Sequence, residues 1–167
     1  VENVKTVLTI YDNSLKSHEV ITEFEEGLPK IYAFPDELSQ VWTNLITNAI
    51  HAIGEKGEIT VKVGRKDEDN LFVQIADNGS GIPKDIQDRI FDAFFTTKPQ
   101  GQGTGLGLDI VKKIIDKHDG KIDLESEPGR TVFTITISTH LKPSKTSEEG
   151  DNDAPQNTDD ASGGDNT

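Results

Sequence analysis

Apolar residues recur along this chain with periods that assign most of its elements. Val4, Val7, Leu8, Tyr11 and Leu15 fall at helical spacing and predict a first helix over 2–17. From Val20 to Phe24 apolar and polar residues alternate, as in a half-buried strand. Leu28-Pro29 interrupts that pattern, and Ile31 to Phe34 reads as a second short extended piece. Pro35 suits the first turn of a helix. Leu38, Val41, Trp42, Leu45, Ile46, Ala49, Ile50 and Ile53 then form one broad apolar face, which Gly54 terminates. Strands are expected near Ile59–Gly64 and Leu71–Asp77, joined by a polar turn at 66–70. Asp77-Asn78-Gly79-Ser80-Gly81 is a turn, and Pro83 opens a short helix. A further helix is expected from about Gly105 to His118, with Leu108, Val111, Ile114 and Ile115 inward and Gly120 closing it. Strands near 121–126 and 131–138 follow. Between about 91 and 104 no period emerges, and a loop of that length inside a compact domain is usually functional or disordered.

This order predicts an α+β fold, a two-layer sandwich whose mixed, mainly antiparallel sheet carries its helices on one face. The 167 residues suffice for one domain, expected over 1–142, and a tail over 143–167. In that tail Lys145 stands against seven carboxylates, a net of −6 out of the chain's −13, and two alanines are its only apolar residues. Such a segment cannot bury enough surface to offset its ordering entropy and reads as disordered. The overall acidity argues against a nucleic-acid binder. No apolar run approaches the roughly 20 residues that cross a bilayer, so no membrane contact is expected of this fragment. With no cysteine, disulfides, zinc-thiolate sites and thiol catalysis are excluded. The chain starts at Val1 and contains no methionine, which reads as a piece of a longer protein.

Three segments and a connecting stretch carry candidate chemistry. Gln40, Asn44 and Asn48 are spaced by four on the long helix, with His51 three further on, so all four share a stripe. Such a stripe suits a solvated face, and an amide oxygen is also a suitable hard ligand for Mg²⁺. Asp77 could accept from an exocyclic amine, while Gly79 and Gly81 would let the backbone approach a planar base. The glycines at 101, 103, 105 and 107 lead into a helix, where exposed N–H groups and the positive dipole end favour phosphate, with Thr104 as a candidate N-cap. Neither a P-loop nor a GxGxxG fingerprint fits this spacing. Between these segments, the aromatics of 90–98 can anchor a loop, and Lys98 could reach a phosphate.

Together these segments resemble the N, G1, F and G2 boxes of the Bergerat-fold (GHKL) ATPases, specifically of histidine kinases. The boxes are Gln40 to Ala49, Asp77 to Gly81, Phe91 to Lys98 and Gly103 to Leu108. The resemblance spans roughly Val4 to Ser138. It implies a mixed sheet layered on three helices, with ATP held between them under a mobile lid formed by 91–107. On this likeness Asn48 would hold Mg²⁺, Asn44 would support the phosphates, Asp77 would read adenine, and Asn44, Asn48 and Lys98 would serve transfer. The nucleotide would also meet His51, which departs from the lysine common at its position, and Gly79, Gly81 and Ile82. Phe91, Thr96, Thr97, Gly101, Gly103, Thr104, Gly105, Leu106 and Gly107 complete the expected set.

In the gyrase, MutL and Hsp90 relatives position 44 is a glutamate that activates water. An amide lacks that basicity, so slow hydrolysis and a preference for handing the γ-phosphate to a positioned nucleophile are expected. His18-Glu19 resembles a phosphoacceptor motif only superficially, because the residues that should follow are missing and a strand begins there. The expected partners are a separate histidine-bearing dimerisation hairpin, joined through 1–17, and a downstream response regulator, in a cytoplasmic setting. An anti-sigma type serine kinase and a non-catalytic nucleotide-binding module are the alternatives on the same fold.

Overall fold

The computed structural model describes residues 1–97 and 105–140. Four helices, α1 (Glu2–Ile10), α2 (Asp12–Leu15), α3 (Pro35–Ile53) and α4 (Gly107–Lys117), accompany five strands: β1 (Glu19–Phe24), β2 (Glu58–Arg65), β3 (Asn70–Asp77), β4 (Lys121–Glu127) and β5 (Arg130–Ser138). The strands form one sheet in the order β1-β2-β3-β5-β4. β1 runs parallel to β2, so the chain must cross over between them, and α3 is that crossover. The remaining pairs are antiparallel. The sandwich expected from the element order is therefore present, with a mixed sheet.

Alternation along the strands separates two faces. Ile59, Val61 and Val63 of β2, Ile75 of β3, and Phe133, Ile135 and Ile137 of β5 are buried toward the helices. On the opposite face Thr60, Lys62, Gln74 and Thr134 stand in rows, with Gln74 Nε2 donating to Thr134 Oγ1 at 3.1 Å and Lys62 pairing with Glu23 at 2.9 Å. α3 lies at the centre of the core: Val41 and Ile46 are fully buried and Trp42, Leu45 and Ala49 nearly so. Val4 and Val7 of α1 pack on one flank, and Val111, Ile114 and Ile115 of α4 on the other. Among the described residues no helix is long and apolar enough to cross a membrane.

Four local expectations are corrected. The first helix breaks at Tyr11, whose ψ of 8° leaves the helical range; Asp12, Asn13 and Ser14, weak helix formers, follow it. Residues 31–34 form no strand, because the Phe34 N–H donates to His118 Nε2 at 3.1 Å and not to a ladder partner. Pro83 opens a series of tight turns in place of a helix, closed by bonds such as Ile86 N–H to the Pro83 carbonyl and Arg89 N–H to the Ile86 carbonyl. α4 starts at Gly107 with Leu106 in the N-cap position, two residues later than expected; Thr104, the candidate cap, lies outside the described residues.

Candidate functional site

A cavity of about 610 Å³ opens between α3, the turn after β3, the start of α4 and the inner face of β5. The polar stripe of α3 forms one wall, through Asn44, Thr47, Asn48 and His51; Gln40, at the same spacing, lies outside it. Thr47 Oγ1 is occupied by the Thr43 carbonyl at 2.8 Å. Asn44 and Asn48 are half-buried, and among the described residues neither side-chain amide makes a hydrogen bond. Two amides with unspent capacity on one cavity wall are suited to a polar ligand.

Asp77 closes the far end at the last residue of β3. It is 7% exposed and accepts the Gly79 N–H through Oδ1 at 2.9 Å. Burial pushes its carboxyl above the ordinary carboxylate range, and the Gly79 bond opposes that shift without cancelling it. Its register partner on β5, Thr131, is 3% exposed and lines the same cavity beside Phe133.

The turn that positions Asp77 requires its glycines for close backbone packing. A Cβ on Gly79 would stand 2.6 Å from the Ala52 carbonyl at the end of α3. Gly81 has a φ of +77°, and a Cβ there would collide with the Glu127 carbonyl. The turn is therefore wedged between α3 and the β4–β5 connection, tied by Ser80 N–H to the Ala52 carbonyl and Gly129 N–H to the Gly79 carbonyl. Close packing on Ala52 is by itself enough to demand glycine at Gly79. On the other side of the cavity, a Cβ on Gly107 would lie 3.3 Å from Asn44 Oδ1, so the positive end of α4 abuts the asparagine wall.

The structure brings Asn44, Asn48, His51, Asp77, Gly81, Ile82, Thr96, Thr97, Gly105 and Gly107 together around the cavity. Three expected residues stand elsewhere. Gly79 packs on Ala52, Leu106 precedes α4, and Phe91 packs against the core while Phe95 lines the cavity under the Arg89 guanidinium, 4.7 Å from its ring centre. Lys98, Gly101, Gly103 and Thr104 lie outside the described residues. Sequence reasoning missed Thr131 and Phe133, because they read as ordinary strand residues and only the pairing of β3 with β5 sets Thr131 opposite Asp77.

The remaining histidines serve other ends. His118 is buried, with Phe34 N–H donating to Nε2, so Nδ1 carries the proton and donates to the Ile114 carbonyl at 2.7 Å. His18 immediately precedes β1 and is absent from the cavity wall.

Residues 33–141 match the family described as histidine kinase-, DNA gyrase B-, and HSP90-like ATPase. The sensor histidine kinase ZraS of Salmonella typhi is 43% identical over 133 residues, covering 78% of this chain and 28% of that protein. The sensory histidine kinase/phosphatase NtrB of Azospirillum brasilense is 40% identical over 131 residues, 70% of this chain and 32% of that one. The chain thus spans about a third or less of these relatives. Among solved structures, the nucleotide-free catalytic domain of histidine kinase ThkA superimposes with a TM-score of 0.75 at 33% identity, covering 83% of this chain and 91% of that one. Full-length ShkA in complex with AMPPNP gives a TM-score of 0.73 at 26% identity, covering 84% of this chain and 30% of that one. The chain belongs to the histidine kinase-, DNA gyrase B- and HSP90-like ATPase family, within which it is a histidine-kinase ATP-binding catalytic domain.

Proposed function

We propose that residues 1–142 bind ATP with Mg²⁺ in the 610 Å³ cavity and pass the γ-phosphate to a histidine on a separate dimerisation hairpin. The observation that carries this reading is the polarity of the cavity, with a buried acceptor, Asp77, at one end and two unspent amides beside a helix N-terminus at the other. Asp77 receives the exocyclic amine of adenine. The phosphates lie along α3 toward the start of α4, whose free N–H groups favour anions.

Among the described residues no three acidic, histidine or cysteine side chains gather to hold a metal. A single hard oxygen from Asn48 fits Mg²⁺, which takes few protein ligands when phosphates and water complete its shell. When bound, the ion neutralises charge on the phosphates. Asn44 cannot deprotonate water near neutral pH, so the wall favours a nucleophile delivered from outside over hydrolysis. Lys98, outside the described residues, is assigned to the phosphates on the family likeness alone. ThkA has been solved with the response regulator TrrA. That supports a response regulator as the eventual phosphate recipient here, and use of ATP supports a cytoplasmic setting.

Titration calorimetry with a non-hydrolysable ATP analogue and Mg²⁺ tests binding, and γ-labelled ATP with a separately made cognate hairpin tests transfer. Acid-labile, base-stable label on the hairpin is expected. Binding without any label would leave a nucleotide-binding module, and absence of binding would overturn the reading altogether.

A further inference from the structure

Asp77 and Thr131 oppose each other across β3 and β5, both buried and both on the cavity wall. Directly opposed residues on one sheet face have Cβ atoms about 5 Å apart, so one edge of a ligand can meet both side chains. A carboxylate only accepts, whereas a hydroxyl donates or accepts according to its neighbours. The neighbour that decides this for Thr131 is Ser126 on β4. Ser126 Oγ accepts the Ile82 N–H at 2.8 Å and lies 2.9 Å from Thr131 Oγ1. The other acceptor for its proton, the Arg130 carbonyl, is at 3.4 Å, beyond a good O–H···O bond. Thr131 is therefore the better-placed acceptor for the Ser126 proton, and a Ser126 proton spent there leaves the Thr131 proton to turn away from Ser126. Gln87 braces the arrangement: its Nε2 donates to the Ile82 carbonyl at 2.7 Å and to the Ser126 carbonyl at 3.1 Å, tying together the two residues that share the Ile82 N–H bond.

We infer that Ser126, braced by Gln87 and the Ile82 N–H, is a positioning residue for base selection that orients the Thr131 hydroxyl as a donor beside the Asp77 acceptor. The pair matches the amino group and N1 acceptor on the edge of adenine. It opposes guanine, whose carbonyl and N1–H reverse the pattern and set an acceptor against the carboxylate. The inference rests on the ATP reading above and extends it to residues outside the cavity lining.

The test measures binding of ATP, GTP and 1-deaza-ATP, in which C–H replaces N1, to the intact chain with Mg²⁺. Wild type should bind the deaza analogue about tenfold more weakly than ATP, the worth of one hydrogen bond. Ser126→Ala should shrink that ratio below about threefold and weaken discrimination against GTP, whereas Ser126→Thr should preserve both. Should the alanine variant fail to fold, Ser126→Cys, a weak donor, should show the same shrinkage. Thr131→Val should abolish the ratio. A merely structural Ser126 would lower all affinities together, so an unchanged ratio in Ser126→Ala overturns the inference, as does the absence of any ratio in wild type. Failure of wild type to bind ATP, or undiminished binding by Asp77→Asn, instead overturns the ATP reading, and this inference falls with it.

Discussion

Asp77 is held in a conflict that the proposed adenine contact explains and stability does not. Its burial raises the carboxyl's proton affinity above that of an unfolded chain, so over the window from the ordinary carboxylate range to the raised value the folded state binds more protons. Stability therefore falls as pH rises through that window. Asp77→Asn removes the charge and can still accept the Gly79 N–H. Its unliganded form should melt above wild type at pH 7, an advantage that fades near pH 3 as the Asp77 carboxyl of wild type takes up its proton and position 77 is uncharged in both proteins. ATP affinity should drop about ten- to a hundredfold, the worth of a hydrogen bond to a charged group. Thermal scans at the two pH values and titration calorimetry check both halves. Gly81 shows a second kind of constraint at the same scale. Alanine there costs about 1–3 kcal/mol for the left-handed backbone alone, plus the collision with Glu127; Gly129, at +86° but with open space around it, lacks the second penalty. Urea denaturation should rank Gly81→Ala as the more damaging. The sequence singled out both Asp77 and Gly81, which the structure sets on the cavity wall, but could not show that the glycines of this turn serve contacts with Ala52 and Glu127, since those neighbours are distant in the chain.

At the scale of elements, legibility followed the strength of the local pattern. α3, with eight apolar positions in register, a proline at its start and Gly54 at its end, was readable in full, and with it the asparagine stripe. Strands with clean alternation were readable to within a residue or two. Elements failed where a side chain from elsewhere takes a backbone group: His118 claims the Phe34 N–H, and Gln87 claims the Ile82 carbonyl at the start of the turn series. α1 is held in a way the apolar period also hides. Asn3 Oδ1 accepts the indole N–H of Trp42 at 2.7 Å, while its Nδ2 donates to Ser39 Oγ at 2.7 Å and to the Pro35 carbonyl at 3.1 Å. This ties α1 to α3 within two residues of Asn44. Asn3→Ala strands a buried indole donor and should cost about 1–3 kcal/mol. Trp42 is the sole tryptophan, so its emission reports the change directly. In a double-mutant cycle Trp42→Phe should recover part of that loss, because the orphaned donor disappears with the ring.

For the molecule as a whole, the cavity lies where α3, α4 and the sheet meet, so a nucleotide filling it touches all three at once. Ligand that binds only the folded state adds about 2.7 kcal/mol at a hundred times its dissociation constant, a rise in melting temperature on the order of 10 °C for a domain of this size. On the proposed reading that rise has two separable parts, because adenine and the phosphates would be held at opposite ends. Asp77 and the base would supply one without a metal; the Asn48 oxygen would contribute only when Mg²⁺ joins it to the phosphates. Asn48→Ala should accordingly keep most of the stabilisation that ATP gives in the presence of a chelator and lose most of the increment that Mg²⁺ adds. Asp77→Asn should lose both, since without the base anchored the phosphates are not delivered to the asparagine wall. A scan of melting temperature against ATP, with and without Mg²⁺, distinguishes the patterns. If Asn48→Ala kept the full Mg²⁺ increment, the ion would have to be held elsewhere, and the asparagine stripe would revert to a solvated helix face.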